Sequence, residues 1–231
     1  MYKQLKPYDD PPIKEFKLLT YNIFIRPPPI RTNEDDYKDE RLDQFRQRYI
    51  DQFDVIILQE LFGALSSRKQ NFLSAIKPYG LNHQLCIENT KPLEHIIDGG
   101  VVLISRYKFK VHDQIVFSQS CIEDKLAAKG VMYGKLELNQ NGNEYVHIFG
   151  THLQAGGGVE KSIDVRRSQI HETMQFIRSK VQNDKRPIIF AGDLNIAGGS
   201  NLYEEIIITL REFYGFTCRD ILLESDRKSV V

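Results

Sequence analysis

The sequence predicts an α/β fold with mixed β-sheets, and three observations carry that prediction. Apolar runs of strand length alternate with stretches whose apolar residues recur at helical spacing, the order that builds helix-covered sheets. Two of the strands are joined as a hairpin, so the sheets are not purely parallel. Polar residues stand at the ends of successive strands, where α/β folds hold their ligand sites.

"FKLLTYNIFI" (16–25) predicts a strand. "RPPPIRTNEDD" (26–36) is neither helix nor central strand, because three prolines supply no N–H. "YKDERLDQFRQRYIDQF" (37–53) predicts a charged helix with Leu42, Phe45 and Tyr49 on one face. "DVIILQE" (54–60) predicts a buried strand, and "SSRKQNFLSAIKPYG" (66–80) a helix ended by Pro78 and Gly80. "GGVVLISR" (99–106) and "KVHDQIVF" (110–117) predict two more strands. "GVMYGKLELNQNGNEYVHIFGTH" (130–152) is the hairpin, turned at Asn141-Gly142. A long helix follows over 160–182, with Ile170, Met174, Ile177 and Val181 at helical spacing. "PIIFAGDLNI" (187–196) contains a buried strand, and a helix is expected near 201–211. No repeat, low-complexity stretch or linker interrupts this order, so 1–231 reads as a single domain.

Composition narrows the function. A chain of 231 residues buries about 70% of its unfolded surface, enough for a core without staples. Lysine plus arginine equals aspartate plus glutamate, 31 each, which argues against an obligate polyanion binder, so no nucleic-acid partner is expected. The three cysteines, Cys86, Cys121 and Cys218, are far apart and odd in number, fitting a reducing compartment rather than a disulfide framework. The polar opening "MYKQLKPYDDPPIKEFK" has no secretory h-region, and no apolar run approaches the ~20 residues of a membrane helix. A cytoplasmic or peripheral-membrane protein is expected.

The polar strand ends are Asn22, Glu60, His152, and Asp193 with Asn195. In an extended chain residues two apart point the same way, so Asp193 and Asn195 project to one place. Oxygen ligands of this kind suit a hard cation such as Mg²⁺, which needs one or two carboxylates. Nothing suits zinc: there is no HExxH and no cysteine ligand set. A Mg²⁺ site beside an imidazole fits phosphate ester hydrolysis.

Each residue alone has an ordinary structural explanation. Asn22 can turn the chain, Glu60 can be a solvated strand end, His152 can cap backbone, and Asp193 can cap a helix. His147, inside an alternating strand, reads as structural. Four successive strand ends carrying such groups favour one shared site. Arg166, four residues before Ile170, falls on the inward stripe of the long helix, near the end where the macrodipole disfavours cations. It needs an acidic or phosphate partner, unless its stem snorkels to solvent.

Together, "LLTYNIF", "DVIILQELF", "DGGVVLISR", "KGVMYGKLEL", "IFGTHLQA", "RRSQI" and "PIIFAGDLNI" resemble the endonuclease/exonuclease/phosphatase superfamily, and within it the neutral, Mg²⁺-dependent sphingomyelinases. The stretches run in family order from 16 to 196. "THLQA" and "DGGVVLISR" point to the sphingomyelinase branch. The resemblance implies a DNase I-like four-layer sandwich, two packed mixed β-sheets flanked by helices. It implies hydrolysis of sphingomyelin, or a related choline phospholipid at a membrane surface, to ceramide and phosphocholine, with Mg²⁺ as cofactor and Mn²⁺ able to replace it. By the same resemblance Glu60 is the principal metal ligand and Asn22 holds metal-bound phosphate or water. His152 donates to phosphoryl oxygens, Asp193 orients the attacking water or leaving group, and Asn195 binds a phosphoryl oxygen or metal-bound water. Asp98, Arg166 and Gln169 match supporting positions.

One part of the family pattern is absent. It ends with an Asp-His pair on the last core strand, the histidine serving as general base, whereas no histidine follows His171 here. In "ESDRKSVV" Ser225 and Asp226 are present, but Arg227 replaces the histidine, and Asp226 lies only 33 residues after Asp193. The expectation is a domain incomplete at its C-terminus, lacking its last core strands, with weak or no activity. Two other readings stay open: a nuclease or other phosphodiesterase of the superfamily, and a catalytically inactive lipid- or protein-binding remnant.

Overall fold

The computed structural model describes residues 13–30, 36–90, 93–139, 142–156, 159–182, 184–214 and 219–221; Asn141 of the predicted turn, Cys218 and the "SDR" triplet lie outside them. Eight strands and four α-helices follow one another as β1 (Leu18–Ile25), α1 (Lys38–Arg48), β2 (Val55–Leu61), α2 (Arg68–Ala75), β3 (His83–Cys86), β4 (Val102–Ser105), β5 (Phe109–Val116), β6 (Gly130–Glu137), β7 (Tyr145–His152), α3 (Glu160–Val181), β8 (Ile188–Asp193) and α4 (Asn201–Tyr214). The chain forms two compact units, Met1–Asn195 and Ile196–Val231. In the second, Leu202 and Ile206 are buried one turn apart on α4, and Tyr203 donates its hydroxyl to Asp220.

The first unit holds two mixed four-stranded sheets, ordered β1-β2-β4-β3 and β5-β6-β7-β8. β1 runs parallel to β2 and β7 parallel to β8, while the remaining pairs are antiparallel. The first four residues of β2, Val55 to Leu58, are apolar because both faces of the strand are covered there. Ile56 and Leu58 join Leu42 and Phe45 of α1 and Phe72 and Leu73 of α2 in one core, whereas Val55 and Ile57 join Met132, Val146 and Ile148 of the other sheet in a second. On the far side of the second sheet Phe176 of α3 packs edge-on against Phe149 of β7 at 6.1 Å and Tyr133 of β6 at 6.5 Å. Two mixed sheets flanked by helices are the predicted architecture. Gly150 of β7 sits where the sheets meet, and a Cβ there would come within 2.6 Å of Leu103 and 2.8 Å of Ile57.

Three local details add to or correct the expected elements. Tyr49 keeps its ring beside Phe45, 5.9 Å between centroids, on the expected face, yet it is 46% exposed because α1 ends at Arg48 and the following 3-10 turn buries Ile50. β8 is half-buried along its whole length rather than buried, because it ends its sheet and, among the described residues, pairs only with β7. β3 has no counterpart in the predicted elements. Its four residues, HQLC, are fixed by pairing with β4, from His83 with Ser105 to Cys86 with Val102, rather than by a pattern of their own. Cys86 and Cys121 are free thiols. Among the described residues no helix is long and apolar enough to cross a membrane.

Candidate active site

The parallel pairs β1-β2 and β7-β8 bring four polar strand ends together across the two sheets. An irregularity between Asn22 and Ile25 inserts one residue into β1 relative to β2, and Phe24 there takes a φ of 57°. Glu60 also stands in the left-handed region, at φ 57°, as does Asn195 at φ 52°. A side chain with a Cβ pays about 1–3 kcal/mol for such a backbone, and such residues cluster at functional sites.

Asn22 is the centre of the arrangement. Its Nδ2 donates to Glu60 Oε1 at 2.9 Å and to Asp193 Oδ2 at 3.0 Å, while its Oδ1 accepts the Phe24 amide at 3.0 Å. Reversing the amide would turn its oxygen onto two carboxylates, so the network fixes Asn22 as a donor that holds the pair. Burial pushes the Glu60 carboxyl above its ordinary range, and nearby Asp193 adds to the effect. Burial acts on Asp193 in the same direction, but the Asn22 hydrogen bond and the field of His152 outweigh it and leave its carboxyl low.

His152 is buried at the end of β7, with Nε2 3.8 Å from Asp193 Oδ2 and 3.4 Å from Lys129 Nζ. Neither contact is a strong hydrogen bond. Its Nδ1 is buried without a hydrogen-bond partner. Burial first, and the Lys129 charge second, hold the imidazole well below its ordinary pKa, so the ring is neutral. Lys129 itself is buried, donating to Asp124 Oδ2 at 2.8 Å and to the Leu153 carbonyl at 3.0 Å. Lys129 and Asp124 escaped the sequence reading. Their only signal there is a charge set among Ala127, Ala128, Gly130 and Val131, directly before a strand.

Asn195 turns back onto the same loop, its amide N–H bonding Asp193 Oδ1 at 3.0 Å and its Nδ2 the Leu153 carbonyl at 3.1 Å. The other expected residues stand one step away. Asp98 takes the Gly63 amide at 2.9 Å and Lys69 Nζ at 3.2 Å, bracing the turn that follows Glu60. Gln169 accepts the Gln154 amide at 2.8 Å and Arg166 Nη1 donates to the Gln154 carbonyl at 2.9 Å, so both support the segment after His152. Arg166 is buried, as its inward position predicted, yet this hydrogen bond goes to a carbonyl and not to an acid or phosphate, and its head does not snorkel.

The donor set bears on the implied Mg²⁺. Among the described residues no group of three or more His, Cys, Asp or Glu side chains is placed to hold a metal. Two half-buried carboxylates do converge, sharing one amide donor. A pair that repels itself in low dielectric calls for positive charge, and one or two carboxylates are what Mg²⁺ takes from a protein. The residues fit. Glu60 and Asp193 would hold such an ion.

Two packed mixed sheets thus present carboxylates, a neutral imidazole and an ammonium together at their strand ends. The chain belongs to the Endonuclease/Exonuclease/phosphatase family, whose model matches residues 19–218. It is 25% identical to a sphingomyelinase of Dictyostelium discoideum, over 80% of this chain and 65% of that one. It is 30% identical to sphingomyelinase C of Bacillus cereus, over 78% of this chain and 56% of the relative. A beta toxin variant of Staphylococcus aureus solved with bound magnesium ions superposes with a TM-score of 0.73 at 26% identity, over 85% of this chain and 70% of that one. The chain thus spans between 56% and 65% of the length of these two curated relatives.

Proposed function

We propose that the chain carries the metal-binding site of a divalent-metal-dependent phosphodiesterase of the sphingomyelinase type, which hydrolyses sphingomyelin to ceramide and phosphocholine. The single observation that carries this reading is the Asn22 amide bridging Glu60 and Asp193 between two sheets, with His152 and Lys129 against the pair. The similarity to sphingomyelinases supports the substrate class, and the similarity to a beta toxin with bound magnesium ions supports the cation.

In this reading Glu60 is the principal metal ligand and Asn22 sets its carboxylate and that of Asp193. A bound divalent cation supplies Lewis-acid polarisation of the phosphoryl group. His152, kept neutral, offers its Nε2 edge as a hydrogen-bond donor to a phosphoryl oxygen. Lys129 adds fixed positive charge beside it as negative charge builds up. Asp193 orients the attacking water or the leaving group, and Asn195 retains an amide hydrogen for a phosphoryl oxygen. Asp98, Arg166 and Gln169 hold the loops that carry these groups.

Phosphocholine release from sphingomyelin in detergent micelles tests the proposal. Release in Mg²⁺ that stops in EDTA and in Asp193→Ala is the expected result. Release indifferent to both, or none under any condition from a folded chain, would sink it.

A further inference from the structure

A second pocket, of about 380 Å³, lies outside the Glu60–Asp193 site. Lys125, Lys161, Ser118, Ser120, His95 and Glu94 are among the residues lining it. His95 is only 7% exposed; its Nδ1 faces the Lys125 carbonyl at 3.0 Å, and its Nε2 is buried without a hydrogen-bond partner. The side chains of Lys125 and Lys161 are exposed and form no ion pair among the described residues. Glu94 contributes the opposing charge, one against two. A cavity combining two free ammonium groups, hydroxyls and an unsatisfied imidazole is chemically a receptor for an oxyanion.

Exposed aliphatic side chains adjoin these lining residues along the chain. Leu93 is fully exposed, Ile96 is 76% exposed and Leu126 is 49% exposed. They are neighbours by backbone pairing as well as by sequence. The Ile96 and Ile97 amides both donate to the Leu126 carbonyl, at 2.9 and 3.0 Å, and Ile97 bridges Ala127. Isolated exposed aliphatics are ordinary, but aliphatics held together beside a cationic pocket mark an interaction surface.

We infer that this pocket and the adjoining aliphatics form a membrane-docking site, in which a phospholipid phosphate sits between Lys125 and Lys161 while Leu93, Ile96 and Leu126 enter the interfacial region of the bilayer. A soluble anion would use the pocket and leave the aliphatics in water; a bilayer uses both, since basic side chains meet headgroup phosphates where aliphatics meet acyl chains. The inference deepens the phosphodiesterase reading by naming the surface on which a lipid substrate would be met, and rests on it only in that the substrate is a lipid. Lys125 directly follows Asp124, the partner of Lys129 beside His152, so one short segment borders both the docking site and the candidate active site.

Vesicle co-sedimentation of the 231-residue chain tests this without turnover. Phosphatidylcholine vesicles would be compared with vesicles in which part of the lipid is phosphatidylserine, in the presence and absence of free inorganic phosphate. Binding should rise with phosphatidylserine and fall by at least roughly 30-fold in the Lys125→Glu/Lys161→Glu variant, about fivefold for each lysine charge removed and more from the carboxylates added. Leu93→Asp/Ile96→Asp should also lose binding, and Asp193→Ala should keep it whether or not the phosphodiesterase reading holds. All four side chains changed in the two double variants are exposed, and circular dichroism would verify folding. Equal sedimentation of all variants, or none of the wild type, would overturn the inference. Binding abolished by inorganic phosphate but untouched by Leu93→Asp/Ile96→Asp would reassign the pocket to a soluble anion and overturn the membrane role.

Discussion

β7 carries two buried histidines five residues apart, and their surroundings differ in an instructive way. His147 is satisfied at both nitrogens, with the Tyr133 hydroxyl 2.8 Å from Nδ1 and Asp184 Oδ2 3.0 Å from Nε2. Tyr145 completes that network by donating to the same Asp184 oxygen at 2.6 Å. His152 has an aspartate too, but at 3.8 Å, a lysine ammonium at 3.4 Å, and a buried Nδ1 with no hydrogen-bond partner. A histidine that serves the fold closes its hydrogen bonds; one that serves a ligand leaves capacity unspent. Alternation along the strand separates the two. His147 shares the face of Phe149 towards α3, whereas His152 shares the face of Val146 and Ile148 between the sheets.

Substitutions should break this comparison in opposite directions. His152→Ala should lower phosphocholine release by about 10²–10³-fold while costing less stability than the same truncation of His147, since no strong hydrogen bond is lost. Glu60→Gln should lower release by at least ~10²-fold and leave the fold intact, because the amide keeps an oxygen for Asn22. Denaturant titration of His147→Ala should show the reverse pattern. Leaving the buried Tyr133 hydroxyl without its partner costs roughly 1–3 kcal/mol, and release measured on the folded fraction should stay near the wild-type rate.

Acid sharpens the contrast. Burial holds His147 below its ordinary pKa, so the unfolded chain takes up a proton before the folded one does. That contribution to stability is complete above about pH 6.5 and is lost as pH falls below it. Asp184, held down to about 2 by its Tyr145, Arg186 backbone and His147 hydrogen bonds against the opposing cost of burial, behaves likewise lower down. Its contribution, complete above the ordinary carboxylate value, disappears as pH drops towards about 2. Melting curves should therefore show a decline in two stages, the upper of which His147→Phe removes. The smallest effect belongs to Tyr145→Phe, which deletes one partly exposed hydrogen bond and should cost about 0.5–1.5 kcal/mol.

Much of this was legible in the residues. The strand ends could be placed because apolar runs stop at Asn22, Glu60, His152 and Asp193, and the alternation in "YVHIFGTH" assigned His147 to the structure. What the pattern could not carry is backbone conformation and lateral pairing. Nothing in a glutamate announces the left-handed φ of Glu60, and nothing in "LLTYNIF" announces the irregularity that aims Asn22 at two carboxylates. The half-burial of β8 depends on which strands lie beside it, which its own apolar run cannot specify. Lys129 stayed hidden because a lysine ordinarily faces water, and its burial rests on the Asp124 carboxylate and the Leu153 carbonyl, the latter brought in from another strand.

Glu60 and Asp193, held by Asn22, are proposed as a divalent-cation site. Thermal unfolding in Mg²⁺ against EDTA, on the wild type and on Glu60→Gln, tests it without requiring turnover, because a ligand bound only by the folded state raises the melting temperature. The account predicts an increase with Mg²⁺ in the wild type that Glu60→Gln abolishes. An equal increase in both proteins, or none in the wild type at saturating Mg²⁺, would contradict it.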